Sequence, residues 1–200
     1  MSESWHRQPT LEGTRVRLEP LTMEHAPGLL AAVDDAEAIF RWTSVIIEEL
    51  ADAEAFVRAA LDDPDRLPYA IVDTRTNAVV GTTSYYGIDP AHRKLVIGYT
   101  WLSRAAQGTG VNAESKLLLL RRAFEELGAV RVEWHTDERN AHSRGAIAKL
   151  GAEFEGLLRK HRRRRDGSWR TTALFAMTDD DWPLARARLE ARVADSSAQP

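Results

Sequence analysis

At residues 106–120 the chain reads AQGTGVNAESKLLLL, which sets two glycines and an asparagine directly in front of a leucine-rich run. A helix start needs only one capping side chain, and Asn112 could supply it. Gly108 and Gly110 go further, because they permit positive φ and remove the side chains that would hold a ligand away from the backbone. An anion resting on the free N–H groups of the following helix would use both properties. The stretch lacks the Lys-Ser/Thr ending of a P-loop and the three-glycine spacing of a dinucleotide fingerprint. On its own it points to an anion and no further.

Such a loop works only if a strand delivers it and a helix follows it. KLVIGYTWL (94–102) reads as that strand, and the leucine run, closing on Gly128, reads as that helix. Upstream, TRVRLEPLT reads as a first strand with Val16 and Leu18 on one face. Thr22 could cap a helix over about 23–33, with its true start displaced by Pro27. ADAEAFVRAALDD predicts an amphipathic helix burying Phe56, Ala60 and Leu61. YAIVD and AVVGTTSYYGI add two strands joined by good turn chemistry, and IFRWTSVI is ambiguous. Downstream come a strand in VRVEWHTD, a short helix in SRGAIAKLG, and a hairpin of EFEGLLRKHRRRR with WRTTALFAM around DGS. A terminal helix in DDDWPLARARLEARV precedes ADSSAQP, read as a mobile tail. The order predicts a mixed α/β (α+β) fold, a mostly antiparallel sheet flanked by helices. One domain over 1–200, with its core at about 10–183, is expected at this length.

The totals narrow the chemistry. Of 200 residues, 44% are hydrophobic and 28% charged, as in an ordinary globular chain. A net charge of −3 offers no general attraction to nucleic acid or acidic membranes. The chain has no cysteine, which excludes disulfides, zinc–thiolate sites and thiol nucleophiles. No apolar window predicts a signal core or a bilayer span, so a cytoplasmic location is expected.

Element order and glycine loop together resemble the GNAT superfamily of acetyl-CoA-dependent N-acyltransferases, in which a Gln/Arg-x-x-Gly-x-Gly/Ala loop holds the CoA pyrophosphate. Gln107, Gly108, Thr109, Gly110, Val111 and Asn112 fill that pattern, with Asn112 departing from Gly/Ala. NAHSRGAIAKLGAEFEGLLRKH is similar to the branch that acetylates ribosomal-protein N-termini, through Asn140, Ser143, Leu150, Gly151, Glu155, Gly156 and Arg159. The resemblance runs from about Thr10 to Pro183. It implies acetyl-CoA as cosubstrate and no metal. It also implies that the strand before the loop splays from its neighbour and meets the pantetheine arm, here through Tyr99, Trp101 and Leu102. Asn140 would contact that arm, and Ser143 would protonate the leaving thiolate, since Ile147 stands where many relatives carry a tyrosine. Read from the residues alone, Asn140 suits a turn or cap and Ser143 an N-cap.

A thioester is already activated, so the site must orient the amine, take its proton and support an oxyanion. The glutamate that the superfamily often carries just ahead of IGY is replaced by Val96. Glu133 and His135, which share a strand face by period two, and His161 in the hairpin are the remaining candidate bases. With no strong base in view, the site suits an α-amine, whose pKa of about 7.7–8.0 leaves roughly a tenth or more neutral at pH 7. The acceptor is therefore expected to be a protein N-terminus or a small-molecule amine. The arginine run 162–165 reads first as a solvated edge hairpin. The alternative to an acetyltransferase is a catalytically silent acyl-CoA-binding module, favoured by Val96, or a nucleic-acid-binding one using those arginines, which the acidic net charge disfavours. Dimers are common among similar proteins, so the resemblance also implies a homodimer as a partner.

Overall fold

Each run that alternates in the sequence becomes a strand of one sheet. In the computed structural model, which describes residues 2–197, the strands are β1 (Leu11–Glu12), β2 (Val16–Pro20), β3 (Arg66–Asp73), β4 (Ala78–Asp89), β5 (Lys94–Leu102), β6 (Arg131–Asp137), β7 (Glu153–Arg163) and β8 (Trp169–Thr178). They lie in the order β1-β2-β3-β4-β5-β6-β8-β7. The helices are α1 (Ser2–His6), α2 (Ala26–Ala31), α3 (Ala36–Phe40), α4 (Leu50–Leu61), α5 (Val111–Arg121), α6 (Ala141–Ala148) and α7 (Trp182–Ser197). This is the expected mixed, mostly antiparallel sheet with flanking helices. No described helix is long and apolar enough to cross a membrane.

Among the described strands only β5 and β6 run parallel, joined by the α5 crossover. Their pairing covers Lys94↔Arg131, Leu95↔Val132 and Val96↔Glu133 and then stops. Beyond that seam the two strands part, each held by its outer neighbour: β5 by β4, and β6 by β8. Ligands of α/β sheets sit in such a crevice, at the carboxyl ends of parallel strands.

Two cores sandwich the sheet. One contains Tyr85, Leu95, Ile97, Leu119, Leu120, Trp134 and Leu189, with α5 and α7 on that side. The other gathers Leu29, Phe40, Ile47, Val57 and Trp101, with α2 and α4. On α4 the buried stripe is Ala53, Val57 and Ala60, and Leu61 is 44% exposed. The expected Ala60 is buried and Phe56 packs partly against this core with its ring 5.6 Å from the Arg66 guanidinium, so only Leu61 falls outside the i, i+4, i+7 stripe. Thr22 precedes a 3₁₀ turn (Met23–His25) and α2 starts only at Ala26, with Pro27 in its first turn. The terminal helix runs through Ala194 to Ser197, further than expected; the last three residues of the anticipated tail lie outside the described ones.

Candidate active site

The glycine loop follows β5 and opens α5, as its composition predicts. Gly108 (φ +79°) and Gly110 (φ +90°) both adopt left-handed backbone. Gly110 is the N-cap, so Asn112 lies within the first turn and caps nothing. Among the described residues no side chain caps this helix start, and the N–H groups of Val111, Asn112 and Ala113 have no carbonyl within the helix to bond. A Cβ on Gly108 would meet nothing within 4 Å, whereas one on Gly110 would lie 2.8 Å from Ser196 Cβ of α7. Thr109 bonds its hydroxyl to Ala106 O (2.7 Å), and its carbonyl accepts from Arg15 Nη1 (3.3 Å). Gln107 donates to Leu102 O at 3.2 Å. The loop is braced from below and open above, and its first-turn N–H groups fit an anionic pyrophosphate.

Upstream, β5 carries a bulge. Ser84↔Gly98 and Thr82↔Trp101 differ in register by one residue, and Tyr99 sits at φ +51°. A bulky residue with positive φ is a strained choice, of the kind found next to functional sites. Trp101 is buried edge-on against Phe40 (5.3 Å), and Leu102 lies in the other core. Their side chains are therefore packing groups, and only their backbone is left to meet a pantetheine arm. Tyr99 is 41% exposed.

Across the parting strands, β6 presents Glu133 and His135 on one face, with His135 Nε2 at 3.2 Å from Glu133 Oε2. His135 Nδ1 lies 3.3 Å from the Tyr86 hydroxyl on β4, and Tyr86 packs edge-on with Tyr99 at 5.1 Å. Glu133 is the register partner of Val96. The carboxylate missing from β5 thus stands directly opposite, one strand over. Its pKa falls to about 2, chiefly through the His135 hydrogen bond and then through Arg131 (2.8 Å). Glu133 is therefore a fixed anion that orients His135, too weak a base to take an amine proton itself. Burial raises the Tyr86 phenol to about 12, so it keeps its proton and can donate to Nδ1, leaving Nε2–H for Glu133. His161 packs against His135 (5.8 Å between rings) and contacts Thr172 Oγ1 (3.0 Å). Burial, then Arg162, lowers its pKa, so it is neutral at pH 7. It also lines a surface hollow of about 810 Å³ along β7. Sequence reasoning missed Tyr86, because only the β4–β5–β6 register brings it to β6.

A lowered carboxylate pKa stabilises the fold above the unfolded pKa and stops doing so as pH falls through the folded value. Glu133→Gln should therefore cost about 2–3 kcal/mol at pH 7. Urea melts of the two proteins should draw together from pH 5 downward; a gap that stays constant to pH 2.5 would refute this.

Asn140 is the N-cap of α6, accepting from Ser143 N at 3.0 Å. The cap is thus Asn140, and Ser143 lies at the third helical position. The half-buried Ser143 hydroxyl makes no hydrogen bond within the described structure. Ile147 is buried in the core. The arginine run is not uniformly solvated: Arg164 clamps Asp137 with Nε–Oδ2 2.6 Å and Nη2–Oδ1 3.0 Å, and Arg163 stacks on Trp169 at 4.8 Å. Arg159, Lys160 and Arg162 are exposed on β7, the sheet edge, as an edge hairpin requires.

Residues 15–153 match the acetyltransferase (GNAT) domain family. The chain is 25% identical over 179 residues to the probable N-acetyltransferase YjcK of Bacillus subtilis (strain 168), covering 86% of this chain and 98% of that one. A GCN5-related N-acetyltransferase from Brucella melitensis superposes with TM-score 0.88 at 30% identity, over 94% of this chain and 86% of that one. Mycobacterium smegmatis RimJ, solved with CoA-disulfide, shares the fold with TM-score 0.76 at 24% identity, over 92% and 94%.

Proposed function

The chain belongs to the GNAT acetyltransferase family, and on that premise we propose that it acetylates the α-amine of a protein or peptide N-terminus by direct attack on the thioester of acetyl-CoA. The observation that carries this reading is the gap between β5 and β6. The glycine loop closes one end of it, and the Glu133–His135–Tyr86 chain lies along one face. Gly108 to Ala113 would hold the pyrophosphate through backbone N–H groups, and the edge of β5 beyond Val96 would meet the pantetheine arm and the thioester carbonyl. The cosubstrate supplies an activated acyl carbon with a thiolate leaving group.

The protein then has three tasks. Tyr86 accepts the amine proton on its oxygen while passing its own to His135 Nδ1, and Glu133 steadies the resulting imidazolium on Nε2. Backbone donors on the free edge of β5 hold the oxyanion. As the C–S bond breaks, Ser143 gives its hydroxyl proton to the sulfur and regains one from solvent. This relay is weak by design, with no carboxylate of raised pKa, and that suits an amine already partly neutral at pH 7. Lysine, with a pKa near 10.4, is under about a thousandth neutral there. Asn140, Ser143, Glu155 and Arg159, which resemble the motif of the ribosomal-protein N-terminal branch, support an N-terminal acceptor. A cytoplasmic location fits such an acceptor.

The test is thiol release from acetyl-CoA with an alanine-initiated peptide and with a peptide whose only free amine is a lysine. The α-amine should react faster. His135→Ala should lower kcat about 100-fold or more and Ser143→Ala about tenfold, with the KM for acetyl-CoA little changed in either. Faster turnover of the ε-amine would overturn the proposal.

A further inference from the structure

The face that carries Tyr86 and His135 holds more cation than it neutralises. Arg66, at the start of β3, is only 8% exposed. Its Nε donates to Ser84 Oγ (2.9 Å), its guanidinium lies 3.9 Å from the Tyr99 ring centroid and 5.6 Å from that of Phe56, and its Nη2 has no hydrogen-bond partner. No described carboxylate forms an ion pair with it; Asp63 acts on it only at longer range. On the far side of Tyr86, half-buried Arg170 leaves its Nε unbonded, and exposed Arg162 faces the same phenol electrostatically. The nearby acids are already engaged: Glu133 by Arg131 and His135, Asp137 by Arg164.

A buried guanidinium without a counter-ion is costly, and a buried donor left unsatisfied beneath the Tyr99 ring calls for a reason. The missing anion would arrive with the substrate. Arg66 is separated from His135 by two ring contacts, Tyr99 to Tyr86 (5.1 Å) and Tyr86 to His135 (6.2 Å). A group bound there therefore sits several bonds from an amine placed at the relay. One planar fork walled by aromatic rings matches a planar, singly charged carboxylate. A phosphate dianion would call for several donors together.

We infer that the acceptor carries a carboxylate a few bonds from its reacting amine and that Arg66 receives it, as with an acidic side chain at the second position of a peptide. The amine's type rests on the reading above; the anion does not. The experiment compares Ala-Glu-amide with Ala-Gln-amide, which differ only in that charge, and repeats the pair as side-chain amines, Ac-Lys-Glu-amide and Ac-Lys-Gln-amide. The wild type should favour the glutamate member by at least about tenfold in kcat/KM, and Arg66→Met, which keeps the apolar stem, should bring the ratio near one. Arg162→Gln, on an exposed position, should keep the preference.

A wild-type ratio near one overturns the inference, as does a preference lost in Arg162→Gln. A glutamate preference confined to the lysine pair would sustain Arg66 while defeating the α-amine reading. Equal and fast turnover of both alanine peptides would do the reverse. If neither pair turns over, calorimetry of Ac-Ala-Glu-amide against Ac-Ala-Gln-amide on the CoA-bound protein decides, with equal or undetectable binding counting against Arg66.

Discussion

Gly108→Trp should give a folded protein whose melting temperature no longer rises when acetyl-CoA is added. In the parent, ligand at about a hundred times its dissociation constant stabilises by about 2.7 kcal/mol, a rise of roughly 5–11 °C for a chain of this size. Gly108 is a better place for the test than Gly110. A Cβ at 110 would collide with Ser196 of α7, so a large side chain there would disturb packing and binding together. At 108 nothing stands within 4 Å, so the cost of the variant is the left-handed backbone alone, about 1–2 kcal/mol. The indole would occupy the space above the first-turn N–H groups. Gly108→Asn serves as the companion, since asparagine tolerates positive φ and is small; it should keep most of the shift. A full ligand-induced shift in Gly108→Trp would remove the pyrophosphate from this loop.

Lys116→Met should make the protein more stable at pH 6, by about 2–4 kcal/mol. Lys116 sits within α5 at 4% exposure, its Nζ donating to Thr83 Oγ1 (3.0 Å) and Thr100 Oγ1 (2.7 Å) with no described carboxylate in ion-pairing range. Burial lowers its pKa to about 7. The folded state therefore binds this proton less readily than the unfolded chain, whose lysine titrates near 10.4. The penalty is full below pH 7, shrinks as pH rises from 7 toward 10.5, and is gone above that. Methionine has similar volume and no charge, and the two threonine hydroxyls already lie 2.8 Å apart, so they satisfy each other once the amine is removed. Thermal melts should show a gain on the order of 10 °C at pH 6, closing by pH 10. A lower melting temperature at pH 6 would mean that the ammonium's two hydrogen bonds outweigh its desolvation.

Much of the scaffold was legible because it rests on local periodicity. The runs at 78–88 and 94–102 became β4 and β5 nearly residue for residue, 69–73 became the last five residues of β3, which starts at Arg66, and the loop glycines adopted the positive φ that their placement implied. Glu133 and His135 do share a face. What stayed hidden depends on register between segments far apart in the chain. Tyr86 meets His135 across 49 residues, and Arg66 meets Ser84 across 18. Nothing in SYYG or in PDRLP encodes either meeting. Burial of a charged residue is equally opaque. Lys116 precedes four leucines and would pass for the solvent-facing member of an amphipathic helix, yet α5 is covered on nearly all sides. On α4 the period does set Ala60 and part of Phe56 against the core; only Leu61 departs, because Ala53 and Val57 complete the stripe instead.

The three-residue seam between β5 and β6 also has a mechanical meaning. It makes the sheet two plates, β1 to β5 and β6 with β8 and β7, riveted at Lys94–Val96 and otherwise held together through the helices. Three paired residues are all that this line holds, so the plates share a shorter ladder here than β4 with β5 or β6 with β8. A molecule lodged in the gap bridges both plates and lengthens the rivet. The shortest ladder between interior strands and the proposed docking slot are therefore one and the same, and a molecule bound there would complete the sheet that receives it.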